Sequence, residues 1–406
     1  MTGAVPPQPG GPGSPLRRFA ALWFCYFAAI GAFNPYAPLW FKELGFSTLA
    51  IGTIASLQAW TRVLAPYAWG WWADHRGGRT RLIRLGAAVS VLAAAALLWS
   101  RGYSMVALCV ALLFLANGAV IPLSEAQLGR YLAAPGGEMD SARYGRVRLW
   151  GSVGFIAAVT LYGSVLEFAG IHWFPVLVLL MYGLLWGATL RLPAGAEEAQ
   201  ATGAPPAVWP VLRRPEVAWF FASVFFTVLA HTALYAFFSL HLDALGFAKS
   251  TVGLLWGASV LVEIVFFWLQ GRLLPAFDAQ RWLITAAAVS ALRFAITAAC
   301  GASLPWLLLA QGLHAITFAA QHVACIVTIN RHFGGALRAR GQALYSVLGY
   351  GLSGVIGGVA GGWLSSRAGF AAVFWAASAI ALLGWGCALM SRRAGAAAAA
   401  ASSPGG

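Results

Sequence analysis

The sequence predicts an all-α membrane protein of twelve transmembrane helices in two pseudo-symmetric six-helix bundles. Three observations predict it. First, the 406 residues are 60% hydrophobic and 9% charged, where soluble proteins carry about 25% charged residues. Second, apolar runs recur at the length that spans a hydrocarbon core of about 30 Å, which takes about 20 residues of helix. Third, residues 44–70 repeat themselves 201 positions later. Leu44-Gly45-Phe46 recurs as Leu245-Gly246-Phe247, Gly52 as Gly253 and Gly70 as Gly271. Arg62 has Glu263 as its counterpart, and each lies near the middle of a long apolar run. A charge at such a depth is costly and reads as functional by default.

In chain order, residues 1–18 are a Gly/Pro-rich lead, with no convincing cleavage site for a signal peptide after it. Six spans follow in a bundle at 19–192: 19–40, 49–72, 82–100, 104–128, 148–168 and 172–191. Residues 193–214 are polar and proline-rich (Pro193, Pro205, Pro206), which reads as a linker. The second bundle, 215–393, holds spans at 216–240, 250–271, 282–300, 304–329, 341–364 and 370–391. Residues 394–406 are Ala-rich low complexity and are expected to be a disordered tail. The runs are too long and too rich in Leu and Ala for barrel strands.

The net charge of +14 would suit nucleic acid, but its placement argues otherwise. With a cytoplasmic N-terminus, only Lys42, Arg101, Lys249 and Arg367 fall on the opposite side, while Arg62 and Arg293 lie within spans. All other Lys and Arg residues fall in cytoplasmic stretches, the positive-inside pattern, so both termini are expected inside, in a bacterial inner membrane. The expected partners are a lipid bilayer, a small-molecule substrate and protons, with no nucleic acid, and a monomer is the expected state. Cys25, Cys109, Cys300, Cys325 and Cys387 lie in apolar spans without metal-ligand spacing, so they read as packing residues. There is no nucleophile–base pair, metal cluster or phosphate loop, so an enzyme is not expected and no cofactor is implied. Gly354, Gly357, Gly358, Gly361 and Gly362 form small-xxx-small pairs in the eleventh span. Those pairs permit close helix approach, as tight packing or as a sliding surface.

The loop after the second span reads Gly70-Trp-Trp-Ala-Asp74-His-Arg76-Gly77-Gly78-Arg79-Thr-Arg81. It resembles the signature between helices 2 and 3 of the major facilitator superfamily, with His75 where a fixed base is usual. The resemblance implies a twelve-helix transporter that alternates access by rocking two bundles. It also makes Gly70, Asp74, Arg76, Gly77 and Arg79 candidates for a conformational latch. Repeated halves fit such transporters.

Pro122-Leu-Ser-Glu125-Ala126 and Tyr144-Gly145-Arg146-Val-Arg148-Leu-Trp150-Gly151-Ser152-Val-Gly154-Phe155 resemble helices 4 and 5 of the lactose-permease type of proton symporters. The resemblance implies a substrate-engaging charge pair, Glu125 and Arg148, with Phe155 in place of a substrate-stacking Trp. The alternative is that Glu125, Arg130, Arg146 and Arg148 snorkel toward the interface. Ser290-Ala-Leu-Arg293 and Leu313-His314 resemble helices 9 and 10 of the same symporters, where the His belongs to the coupling network. Two departures stand out: that family's proton-bearing Glu is Thr317 here, and Val260 falls near its helix-8 substrate carboxylate, with Glu263 three residues later.

Tyr-Gly-Arg-Val-Arg-Leu-Trp-Gly-Ser-Val at 144–153, the Val252-Gly-Leu-Leu-Trp256…Val262-Glu263 pattern, Arg62 and Leu304-Pro-Trp-Leu…Gln311-Gly-Leu-His314 together resemble the 3-phenylpropionate permease family. That resemblance implies proton-coupled uptake of an aromatic carboxylate, with the proton gradient as energy source. Spans 8 and 9 form a hairpin turning near 277, which sets Glu263 and Arg293 at matched depth. A carboxylate that loses its cation in a poorly solvated site favours proton uptake, a means of coupling; the alternative is a static structural pair. The substrate-binding candidates are therefore Arg62, Glu125, Arg148, Phe155 and His314. The proton-coupling candidates are Glu263, Arg293 and His314. His231, His322, Phe318, Gln321, Asn34, Tyr36, Gln58, Asn117, Tyr235 and Gln311 are weaker cavity candidates, and Trp60 and Trp150 could stack on an aromatic substrate. A sugar or nucleoside symporter and a multidrug/proton antiporter are the alternative readings.

Overall fold

A computed structural model describes residues 14–132, 140–193 and 207–402. All regular structure among them is helical. Contacts divide the chain into two compact units, Met1–Asn34 with Leu64–Ala201, and Pro35–Val63 with Thr202–Gly406.

The first unit contains α1 (Pro15–Phe33), the second half of α3 (Thr48–Arg76), α4 (Arg79–Ala96), α5 (Tyr103–Asn117), α6 (Val120–Leu132), α7 (Ser141–Ala169) and α8 (Phe174–Leu190), numbered with α2 (Ala37–Glu43) of the second unit. Prolines open α1, α2 and α8, where the missing N–H would have no helical partner. Asp140 caps α7 by accepting from the Arg143 amide at 2.9 Å. α7 lies on α1 through small residues. A Cβ at Gly31 would come within 2.7 Å of the Phe155 carbonyl, and one at Gly151 within 2.6 Å of the Phe27 ring. The expected fourth span is two helices, broken at Gly118 and Ala119 between α5 and α6.

The second unit contains α2, the first half of α3, α9 (Trp209–Leu212), α10 (Pro215–Ala244), α11 (Lys249–Leu273), α12 (Ala279–Ala299), α13 (Leu304–Gly312), α14 (Gln321–His332), α15 (Arg338–Leu344) and α16 (Ser353–Ser402). Two π-helical stretches interrupt the pattern: Ala315–Ala320 joins α13 to α14, and Tyr345–Leu352 joins α15 to α16. The α11–α12 hairpin turns at Phe277, and Asp278 caps α12 by accepting from the Arg281 amide at 2.7 Å. The core of this unit is aromatic and aliphatic, with Phe220, Phe221, Trp282, Cys325, Ile329, Phe333 and Tyr345 buried together.

Among the described residues nine helices are long and apolar enough to cross a membrane. Thr48–Arg76 and Arg79–Ala96 are two further long helices where spans are expected; the first carries Arg62, and the second begins with Arg79, Arg81 and Arg84. The α16 stretch bends at Gly369 (φ 79°, ψ 173°), which separates the last two expected spans. Its helix continues to Ser402, so residues 394–402 are helical where the sequence predicts disorder. Alanine is the strongest helix former, and a run of it extends a helix already nucleated by packing. The expected linker falls largely on residues 194–206 and the expected lead on residues 1–13, both outside the described residues.

The internal repeat is visible in geometry. Gly45 and Gly246 end α2 and α10 with φ of 82° and 83°, a conformation that only glycine adopts cheaply. Lys42 donates to Asp243, its own counterpart 201 positions on, at 2.7 Å. The glycine stripe of α16 meets α3. A Cβ at Gly362 would lie 2.7 Å from the Thr48 carbonyl, one at Gly354 would lie 2.6 Å from Ala59 Cβ, and Gly358 abuts Gly52 and Ser56. Ser56 Oγ donates to the Val355 carbonyl at 2.9 Å, and Thr48 Oγ1 to the Gly362 carbonyl at 3.1 Å. The close approach predicted for the eleventh span is thus made against residues 48–59.

Gly358→Val puts a branched side chain against a backbone that has nowhere to move. Overpacking of this kind costs about 1–3 kcal/mol. A lowered unfolding temperature in detergent is expected, while valine at Gly183, which has open space around its Cβ position, leaves it nearly unchanged.

Candidate functional site

Among the described residues the most deeply buried charge is Arg293. Its side chain is fully buried on α12, one face lying 5.8 Å from the Phe294 ring. Nη1 donates to His314 Nδ1 at 2.9 Å and to Thr317 Oγ1 at 3.0 Å, and Nη2 donates to Gln311 Oε1 at 3.0 Å. All three acceptors come from the α13–π–α14 helix. Glu263, on α11, approaches the other side of the same imidazole, with Oε2 3.9 Å from His314 Nε2. The direct Glu263–Arg293 pair expected from matched depth is instead bridged by His314.

This arrangement fixes a tautomer. A guanidinium has only donors, so His314 Nδ1 must accept, and the neutral imidazole carries its proton on Nε2. That N–H points toward Glu263. The ring thus lies between the guanidinium and the carboxylate, and Thr317 serves as a ligand of the arginine where the symporter pattern has a carboxylate.

Further along the helix, His314 stacks on Phe318 (5.1 Å, 6°) and Phe318 on His322 (6.3 Å, 13°). His322 Nδ1 lies 3.2 Å from the Tyr345 hydroxyl, which lies 3.2 Å from the Tyr350 hydroxyl. His231 binds the Thr227 carbonyl at 2.8 Å and packs edge-on against Phe294. His231 Nε2 and Gln311 Nε2 are buried without a protein hydrogen-bond partner.

Arg62 departs from the expectation of a buried charge, because its side chain is exposed. It lies within electrostatic reach of Tyr235 and Tyr350, as do Glu263 and, for Tyr235, Arg293. Tyr235 stacks on Trp256 at 6.4 Å. The two charges at equivalent repeat positions thus act on the same tyrosines.

In the first unit, Glu125 accepts from the Tyr144 hydroxyl at 3.1 Å and feels the charge of Arg148. The Arg148 guanidinium sits over Trp23 (5.0 Å) and Phe27 (5.5 Å). Its planar face is thus held by rings and its edge N–H groups are left for an acceptor. The sequence singled out Arg148 but missed both rings; the α1 spacing Trp23-x-x-x-Phe27 is the signal that could have found them. Phe155 packs on Gly31 and does not join this stack. Asn117 is buried with its carbonyl oxygen unpartnered, and Trp60 and Trp150 are exposed.

Of the latch candidates, Gly70 lies in α3, and Gly77 and Gly78 turn the chain with φ of 64° and 77° before Arg79 opens α4. The side chains of Asp74 and Arg76 lie outside the described residues. Among the described residues no His, Cys, Asp or Glu cluster has the makings of a metal site.

Residues 16–376 match the MFS_1 like family, to which the chain therefore belongs. It is a multi-pass membrane transporter of the major facilitator kind. A protein named probable 3-phenylpropionic acid transporter from Escherichia coli (strain K12) is 30% identical over 90% of this chain and 95% of its own length. A maltose permease from Geobacillus stearothermophilus is 27% identical over 88% of this chain and 89% of its own. A crystal structure of a mutant of the nucleoside transporter NupG superposes with a TM-score of 0.82 at 16% identity, covering 93% of this chain and all of that one.

Arg293→Leu leaves His314, Thr317 and Gln311 buried with their acceptors unpaired. Each such group costs about 1–3 kcal/mol. A clear fall in unfolding temperature is expected. The double variant that also makes Gln311→Leu should recover part of it.

Proposed function

We propose that the chain is a proton-coupled importer of a small aromatic carboxylate of the 3-phenylpropionate type. The observation that carries this reading is His314 set between Arg293 and Glu263. While Arg293 holds Nδ1, the imidazole offers an N–H to the carboxylate and favours its ionised form. When substrate or a helix movement draws Arg293 away, His314 is released from its fixed tautomer, its N–H is no longer held toward Glu263, and the balance at the carboxyl shifts toward proton uptake. Loading is then linked to the arginine's position.

Arg62 is assigned the substrate carboxylate. An exposed guanidinium in the middle of a membrane span faces water rather than hydrocarbon, and there it can hold an anion bidentately. Tyr235 and Trp256 supply aromatic surface in the same unit. In the first unit, Arg148 on its floor of Trp23 and Phe27, with Glu125 nearby, offers chemistry suited to the same ligand class. The 30% identical relative supports the substrate class. The charge distribution supports a bacterial inner-membrane location with both termini cytoplasmic. The protein is assigned no cofactor, no enzymatic activity and a monomeric state. A sugar symporter is the second reading, favoured by the maltose permease relative.

The test is uptake of radiolabelled 3-phenylpropionate into proteoliposomes with and without an inward proton gradient, with maltose run in parallel. Gradient-driven accumulation of the aromatic acid is expected. Glu263→Gln should abolish accumulation yet retain counterflow, and Arg62→Ala should raise the half-saturation concentration about tenfold or more, the loss of charged hydrogen bonds. Accumulation of maltose alone would move the substrate to the second reading, and full accumulation by Glu263→Gln would remove that residue from coupling.

A further inference from the structure

Proton coupling requires that a proton reaching Glu263 also leave it. Along α13–α14 the direct course is blocked, since Phe318 stands between His314 and His322 in one stack of rings. A phenyl ring neither accepts nor donates a proton. The polar course runs instead through the neighbouring helix. Tyr350 and Tyr345 meet hydroxyl to hydroxyl at 3.2 Å, and Tyr345 meets His322 Nδ1 at 3.2 Å.

That alignment depends on the π-helix at Tyr345–Leu352. In an α-helix, residues five apart point about 140° away from each other. With the wider i→i+5 turn of a π-helix they come to one face, and this places Tyr345 and Tyr350 together. Tyr345 is almost fully buried. Tyr350 is within electrostatic reach of Glu263 and Arg62 at one end of the chain. At the other end, His322 lies ten residues before His332, and Tyr345 lies seven past Arg338. The course thus leads from the charged centre toward the arginine-rich ends of α14 and α15.

We propose that Tyr350, Tyr345 and His322 form a hydroxyl–imidazole wire that carries the coupled proton from Glu263 toward the Arg331 and Arg338 end of the bundle. This rests on Glu263 as the proton carrier. Water completes the link from the Glu263 carboxyl to Tyr350. The carboxyl O–H bond breaks as the water takes its proton and passes one of its own to the Tyr350 oxygen. Tyr350 passes its hydroxyl proton to the Tyr345 oxygen, and Tyr345 passes its own to His322 Nδ1. The imidazolium then releases a proton from Nε2 to solvent, leaving the opposite tautomer. Return of the Nδ1 proton to solvent and uptake of one at Nε2, with rotation of the two hydroxyls, resets the wire. Each residue gives up as many protons as it takes.

The wire is needed for net proton movement and not for exchange of loaded substrate. The experiment reconstitutes full-length wild type, Tyr345→Phe, His322→Gln and Glu263→Gln. Each is assayed for 3-phenylpropionate counterflow and for accumulation driven by an inward proton gradient. Tyr345→Phe keeps the ring and its packing and removes only the hydroxyl. Both wire variants are expected to keep counterflow near wild type and to lose gradient-driven accumulation about tenfold or more, the scale of a removed proton-transfer group. Full accumulation by both, beside loss in Glu263→Gln, would overturn the wire and leave Glu263 standing as the carrier. Full accumulation by Glu263→Gln would overturn the carrier and the wire together. Loss of counterflow in both wire variants would also overturn it, since it would show that these residues serve folding or binding.

Discussion

A fully buried guanidinium constrains everything around it. Removing an ion from water costs several kcal/mol even after relaxation, and Arg293 offsets that with three neutral acceptors on one helix. Because the donor side of this contact cannot change, the acceptor side is dictated. His314 must present a bare Nδ1, and its remaining N–H must face α11, where Glu263 sits. The guanidinium thus orients the ring that faces the carboxylate. The π-helical turn at Ala315–Ala320 lies within the same ligand set and contributes Thr317, so a change of register there would alter the arginine's contacts directly.

The internal repeat imposes a second constraint. Equivalent positions carry equivalent backbone, as at Gly45 and Gly246, but their side chains have diverged into complements. Lys42 meets Asp243, and Arg62 and Glu263 act on the same pair of tyrosines. Related positions of the repeat thus carry opposite charge, a cation at Arg62 and a carboxylate at Glu263. The glycine stripe of α16 sits where residues 48–59 approach most closely. The absent side chains let the backbones meet, and the Ser56 and Thr48 hydroxyls tie them together by donating to α16 carbonyls.

Much of the fold was legible from the sequence, because long apolar runs report directly on a membrane environment. The helical tail was missed because composition alone does not reveal that α16 nucleates it. The site was legible in part. Arg293, His314 and Glu263 stand out as polar residues in apolar runs, but periodicity could not show that the histidine separates the other two. Arg62 looked buried because the sequence gives depth in the membrane and not the side of the helix that is open. Thr317 looked like an absence and is a ligand. Tyr345 and Tyr350 were invisible as a pair, since α-helical spacing sends them apart and only the π-turn unites them.

The central claim is that Arg293 fixes the His314 tautomer and through it the state of Glu263. Nitrogen-15 magnetic resonance of histidine-labelled protein tests it most directly, the His314 signals being assigned by their loss in His314→Gln. The account predicts, near neutral pH, a neutral ring with a bare Nδ1 and a protonated Nε2, changing when Arg293 is replaced by Leu. A ring protonated at Nδ1, or a tautomer indifferent to the loss of Arg293, would contradict it.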